Sequence, residues 1–152
     1  MPEYKLAKEI IALSDSAIWD RAKLEWDLDQ VYQEDEPDTC LCGHYPILEI
    51  CILKNKINKN TAVVGNCCVK KFIGLPSNKI FQAIKRVRKD ETKSLNAEAL
   101  SHAHKNKWVN DWEYSFYLSI GKKRELSQKQ TKKKLQINKK LLEMMVNARP
   151  KN

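Results

Sequence analysis

Five cysteines lie between positions 40 and 68 and none elsewhere: Cys40-Leu41-Cys42-Gly43-His44, then Cys51, then Gly65-Asn66-Cys67-Cys68. A thiol pair closed by a glycine, answered about twenty-five residues later by a cysteine at a helix start, is spaced to enclose a structural metal ion. Zinc in that role takes four thiolate or imidazole ligands in a closed tetrahedron. Cys40 and Cys42 form the knuckle pair, and Gly43 permits the tight turn that aims both sulfurs at one point. Cys67 and Cys68 are consecutive, so on a helix they point about 100° apart and only one faces the ion. Cys68 shares a face with Phe72, four residues on, whereas Cys67 shares one with Lys70 and Lys71. Cys68 is therefore the expected ligand. The fourth is expected to be Cys51, with His44 or Cys67 as alternatives.

These residues need a scaffold, and the sequence pattern outlines one. Leu48, Ile50 and Ile52 alternate with Glu49, Cys51 and Leu53 as a strand, residues 55–60 carry turn chemistry, and Thr61 to Val64 return as a second strand. Gly65-Asn66 closes the hairpin, and Cys67 to Ile73 reads as a short helix stopped by Gly74 and Pro76. Knuckle, hairpin and helix in that order form a treble-clef-like module. Upstream, residues 3–13 read as an amphipathic helix with Tyr4, Ala7, Ile10 and Ile11 on one face. Ser14-Asp15-Ser16 is the expected break and N-cap of a second helix from Ala17 to Gln33, ended at Pro37. Downstream the pattern is helical throughout. Ser77 is expected to cap 78–89, with Ile80, Phe81, Ile84 and Val87 facing inward, and Asn96 the next helix. Asn110 with Glu113 and Ser127 with Gln130 form two capping-box patterns. The last helix carries Leu135, Leu142 and Met145 at core spacing, interrupted by Asn138.

The expected fold class is α+β, mainly helical. An acidic helical arm (1–39), the treble-clef-like module (40–76) and a basic helical region (77–152) are expected to make one compact domain. The stretch Cys40-x-Cys42-Gly43, Val64-Gly65-x-x-Cys68-x-x-x-Phe72 resembles a module of small, mostly uncharacterised bacterial and phage zinc-finger proteins. Leu126-Ser127-x-Lys129-Gln130 resembles a short helical motif found downstream in some of them. The resemblance covers about a fifth of the chain and implies a structural zinc ion, a bacterial or phage origin, and Cys68 as the last ligand, with a variable fourth.

Net charge is +9, distributed unevenly: residues 1–39 carry −7 and residues 40–152 carry +16. The basic groups fall into three segments, Lys70 and Lys71, then Lys85, Arg86, Arg88 and Lys89, then Lys122, Lys123, Arg124, Lys132, Lys133, Lys134, Lys139 and Lys140. Arrays of this kind neutralise phosphates, and lysine's dominance over arginine favours backbone contact over base readout. Binding of DNA or RNA in an accessory or regulatory role is the expected function. The run Trp108, Trp112, Tyr114, Phe116 and Tyr117 suits base stacking, but helical spacing assigns it first to a core.

The competing expectation is a phage- or bacterium-encoded interaction module that inhibits or redirects a host enzyme. There the acidic segment Glu25 to Asp38 would imitate nucleic acid or fold back on the chain's own basic helices. No phosphate loop, His-Glu-x-x-His or Gly-x-Ser-x-Gly is present. His102 and His104 alternate on one helix without an evident carboxylate partner, and a treble-clef nuclease would need a histidine that the hairpin lacks. The chain is therefore expected to be no enzyme and to show no small-molecule substrate. Glu3, Lys5, Lys8 and Glu9 interrupt any signal-peptide core, no apolar stretch approaches a membrane span, and reduced thiols fit the cytoplasm.

Overall fold

The structure, a computed structural model describing residues 2–150, is α+β and mainly helical, with one three-stranded antiparallel sheet. It divides into two compact units, one reaching to Asn78 and taking in Arg149, the other spanning Lys79–Ala148.

In the first unit, helix α1 (Pro2–Leu13) buries Leu6 and Ile10 and leaves Tyr4 exposed, so its inner face is rotated from the expected one. Ser14-Asp15-Ser16 caps no long helix. Its Asp15 and Ser16 N–H groups donate to the buried Glu25 carboxylate at 2.8 and 2.9 Å, and Asn55 Nδ2 donates to it at 2.9 Å. The expected helix over 17–33 shrinks to one turn, α2 (Trp19–Ala22), and a 3-10 turn, Lys23–Glu25. Strand β1 (Trp26–Asp38) follows and pairs with β2 (Ile47–Asn55), which pairs in turn with β3 (Thr61–Gly65).

The reason lies in the register. Leu28 stands opposite Leu53 and Gln30 opposite Ile52, so Asp29 is an extra residue, a β-bulge. The bulge keeps Trp26, Leu28 and Val31 on one sheet face while spacing the last two by three residues. That spacing is what an amphipathic helix shows. Glu34 to Pro37 fall in a second irregularity, between Gln33 and Asp38, where no residue pairs with β2 and proline's missing N–H costs no ladder bond. The acidic stretch is thus an edge strand of the sheet that carries the cysteines, rather than a separate helical arm.

A left-handed Gly74 (φ 84°) ends the short helix after β3 as the sequence suggests. That segment is one turn, α3 (Asn66–Cys68), continued by a π-helical turn, Val69–Ile73, and its buried anchor is Val69; Phe72 is half-buried. Helix α4 (Ser77–Lys89) leads into the second unit and buries Ile80, Phe81, Ile84 and Val87 as expected. Helices α5 (Ala97–Lys105), α6 (Asp111–Ile120) and α7 (Gln128–Met145) each begin at the expected cap. Asn96 accepts from the Ala99 N–H, and both capping boxes are closed reciprocally.

The buried face of α7 is Ile137, Asn138, Leu141 and Met145, so of the expected stripe Met145 is core, Leu135 and Leu142 are half-buried, and Asn138 belongs to the core instead of interrupting it. Its Nδ2 donates to the carbonyls of Glu91 (2.7 Å) and Lys93 (2.9 Å), and its Oδ1 accepts from the Tyr117 hydroxyl (2.7 Å). Tyr117 in turn accepts from the Leu95 N–H at 2.9 Å. Two side chains from α6 and α7 thereby hold the α4–α5 loop by its backbone. Among the described residues no helix is long and apolar enough to cross a membrane.

Candidate metal centre

The sulfurs of Cys40, Cys42 and Cys68 lie within 4.8 Å of one another, and all three residues are buried. Each is delivered by a different local device. Gly43, at φ +93°, turns the chain back so that its N–H donates to the Cys40 carbonyl (2.8 Å) and the Cys40 N–H to the His44 carbonyl (2.9 Å). The knuckle is fastened to β3 by the Leu41 N–H on the Val63 carbonyl (2.9 Å) and by the Gly65 N–H on Cys40 Sγ (3.2 Å). Cys68 arrives from the turn that starts one residue after Gly65.

That turn is held by Asn66, which sequence reasoning left without a role. Its Oδ1 accepts from the Ser77 hydroxyl (2.7 Å), and its Nδ2 donates to Asn78 Oδ1 (3.1 Å) and Glu49 Oε1 (3.4 Å). Ser77 thus donates its hydroxyl to Asn66 and stands inside α4 as its first residue, one position beyond the expected cap. A buried amide satisfied on both sides sets a backbone more firmly than apolar packing does, since leaving either side unpaired costs about 1–3 kcal/mol.

The three thiols differ in how readily they ionise. Burial pushes Cys42 up, but the His44 N–H and the Cys40 and Cys68 thiols outweigh it and hold the group below its usual range. Burial raises Cys40 and Cys68, and the neighbouring sulfurs raise Cys68 further. One thiolate forms with ease; a second and third repel it in a poorly solvated site. A cation at their centre reverses that balance, and such a cluster can hold a metal ion.

The other thiols stand apart from this group. Cys51, expected to be the fourth ligand, lies in the middle strand between Val31 and Val64, fully buried. It belongs to the sheet core and is not among the three sulfurs that lie within 4.8 Å of one another. Burial, relieved in part by Ser77, pushes its thiol up to about 12, which keeps it protonated at neutral pH. Cys67 is exposed, as its helical face implied, and so is His44.

The basic candidates are distributed as follows. Lys70, Lys71, Lys85, Arg86, Arg88, Lys89, Lys122, Lys123, Arg124, Lys132, Lys139 and Lys140 are exposed, while Lys133 and Lys134 are half-buried. Lys133 pairs with Glu113 at 3.0 Å. Of the aromatic run, Tyr117 is core; Trp112 is 63% exposed and stacks on Phe116 with ring centroids 5.3 Å apart. His104 does have a carboxylate partner, Asp111 Oδ1 at 2.7 Å, which α6 brings to it. His102 is buried edge-on to Trp108. No family model, curated protein or solved structure matches this chain.

Proposed function

We propose that the chain is a zinc-stabilised nucleic-acid-binding protein whose first unit is clasped by the ion and whose second unit meets the phosphate backbone. For the metal, the support is the three-sulfur cluster at the junction of knuckle, hairpin and short helix, the order of a treble clef. Sulfurs on a zinc tetrahedron stand about 3.8 Å apart for bonds of about 2.3 Å, a span that sulfurs within 4.8 Å of one another accommodate with small side-chain shifts. Thiolate donors without carboxylates favour zinc over harder ions. His44 is the proposed fourth donor, because its backbone already touches Cys42 and Cys51 is committed to the sheet.

For nucleic acid, one observation carries the reading: charge segregates along the boundary between the units. Lys79–Ala148 hold seventeen Lys and Arg against seven Asp and Glu, a net of +10, while the rest of the chain holds eleven against twelve, a net of −1. A +10 field on seventy residues attracts polyphosphate and steers its approach. The test is binding of single- and double-stranded oligonucleotides by the intact protein across a salt series. The log–log slope is expected to be steep, and replacing Lys132, Lys139 and Lys140 by Gln is expected to reduce it by about 2–3. Weak association indifferent to salt would overturn the reading.

The rival interaction-module reading has one observation of its own. Strand β1 is a sheet edge that presents acids, with Arg149 bonded to Asp38 and to Glu34. Acids on an edge discourage self-pairing and suit a basic partner. Specific capture of one host protein, with no oligonucleotide bound, would favour it.

A further inference from the structure

The second unit contains a cavity of about 270 Å³ whose lining comes from three places in the chain. The α4–α5 loop contributes Thr92 and Ser94, the α6–α7 connection contributes Lys123 and Arg124, and α7 contributes Thr131 and Lys134. Three cations converge on one concavity with no carboxylate in its wall, and among the described residues none of the three forms a salt bridge. Of the acids in the adjoining loop, Asp90 accepts from the Thr92 N–H (3.0 Å) and hydroxyl (2.7 Å), and Glu91 is exposed and not part of the wall. The wall's Ser94 and Thr131 carry hydroxyls that can donate to a ligand.

The wall is built to stay in place. Asn138 grips the carbonyls of Glu91 and Lys93 on either side of Thr92, and Tyr117 holds the Leu95 N–H beyond Ser94. Preorganised donors lose little freedom when a ligand arrives. Around Lys134, burial and then Arg86, with Lys93 adding to it, weaken the hold on its proton against the opposing pull of Asp90.

We propose that this cavity binds a phosphate monoester, either the terminal phosphate of a nucleic-acid strand or that of a free nucleotide. A monoester dianion offers three oxygens to three cations and two hydroxyls. The cavity is at the small end of ligand sites, a size suited to a strand end or a nucleotide's phosphoryl and sugar. The strand-end source rests on the nucleic-acid reading above; the pocket itself does not.

The test uses the intact protein with 3′-labelled single-stranded DNA bearing either a 5′-phosphate or a 5′-hydroxyl, and separately with adenosine monophosphate and inorganic phosphate followed by amide NMR. The phosphorylated strand is expected to bind about tenfold more tightly, and Arg124→Gln, on an exposed connection where folding is not at stake, to erase that advantage, as is Thr131→Val. Adenosine monophosphate is expected to shift the Thr92, Ser94 and Thr131 amides. If both strands bind equally and neither small phosphate shifts those amides, the pocket proposal fails while backbone binding stands. If no strand binds but the monophosphate shifts them and Arg124→Gln abolishes the shift, the pocket stands on free nucleotide and the nucleic-acid reading fails.

Discussion

Cys42 is the sulfur of the cluster that loses its proton most easily, because three donors converge on it: the His44 N–H and the thiols of Cys40 and Cys68. A metal ion held by the three sulfurs would need all three as thiolates, so its uptake would release protons. Cys51 has no share in this. Cys51→Ala is expected to leave the bound metal unchanged and to lower stability by about 1 kcal/mol through the small void it leaves in the sheet core. Cys67→Ser is expected to alter neither; native mass spectrometry and thermal unfolding check both variants. Asn138 is the second residue on which much depends. Asn138→Ala removes the donor to the Glu91 and Lys93 carbonyls and the acceptor of the buried Tyr117 hydroxyl, an expected loss of about 1–3 kcal/mol, with faster amide exchange at Leu95 as the local readout.

Elements whose signals are local were legible in the sequence. A capping box needs only its own four residues, so Asn110 with Glu113 and Ser127 with Gln130 announced α6 and α7. Cys68 was legible for the same reason, since adjacency on a helix decides which of two neighbours points inward. What depends on pairing was not. The bulge at Asp29 gives β1 a helical beat that only the register with β2 exposes, and the same register sets Cys51 in the sheet core between Val31 and Val64. Asn138 read as a flaw in a stripe because its partners lie forty-five and forty-seven residues away.

The same scale governs the pH response of α5. Burial, with Lys105 adding to it, lowers the His102 imidazole to about 4, against an ordinary 6.5. The folded state thus resists a proton that the unfolded chain accepts. Stability from this group is complete above pH 6.5 and is lost as the pH falls from there to about 4, a total of about 3 kcal/mol. His102→Gln is expected to flatten that part of the stability profile in denaturant titrations at successive pH values.

At the scale of the whole molecule, a nearly neutral unit holds the buried thiols and a strongly basic unit, at a net of +10, holds most of the lysines and arginines. The first unit's sheet is small, and its knuckle is tied to β3 by two N–H donors, from Leu41 and Gly65. Small cores of this kind draw much of their folding free energy from a bound ion. The charged face of the second unit depends on no thiol, since every cysteine lies before it. Metal loss is therefore expected to unfold the first unit before it weakens the charge field of the second. The most direct measurement of the central claim is the zinc content and thermal unfolding of the purified chain, with and without a strong chelator, beside Cys68→Ser. The expected result is one zinc per chain in the wild type, lost together with the folding transition of the first unit on chelation or in Cys68→Ser. A chain that folds fully without metal, or a Cys68→Ser variant that still holds one zinc, would contradict it.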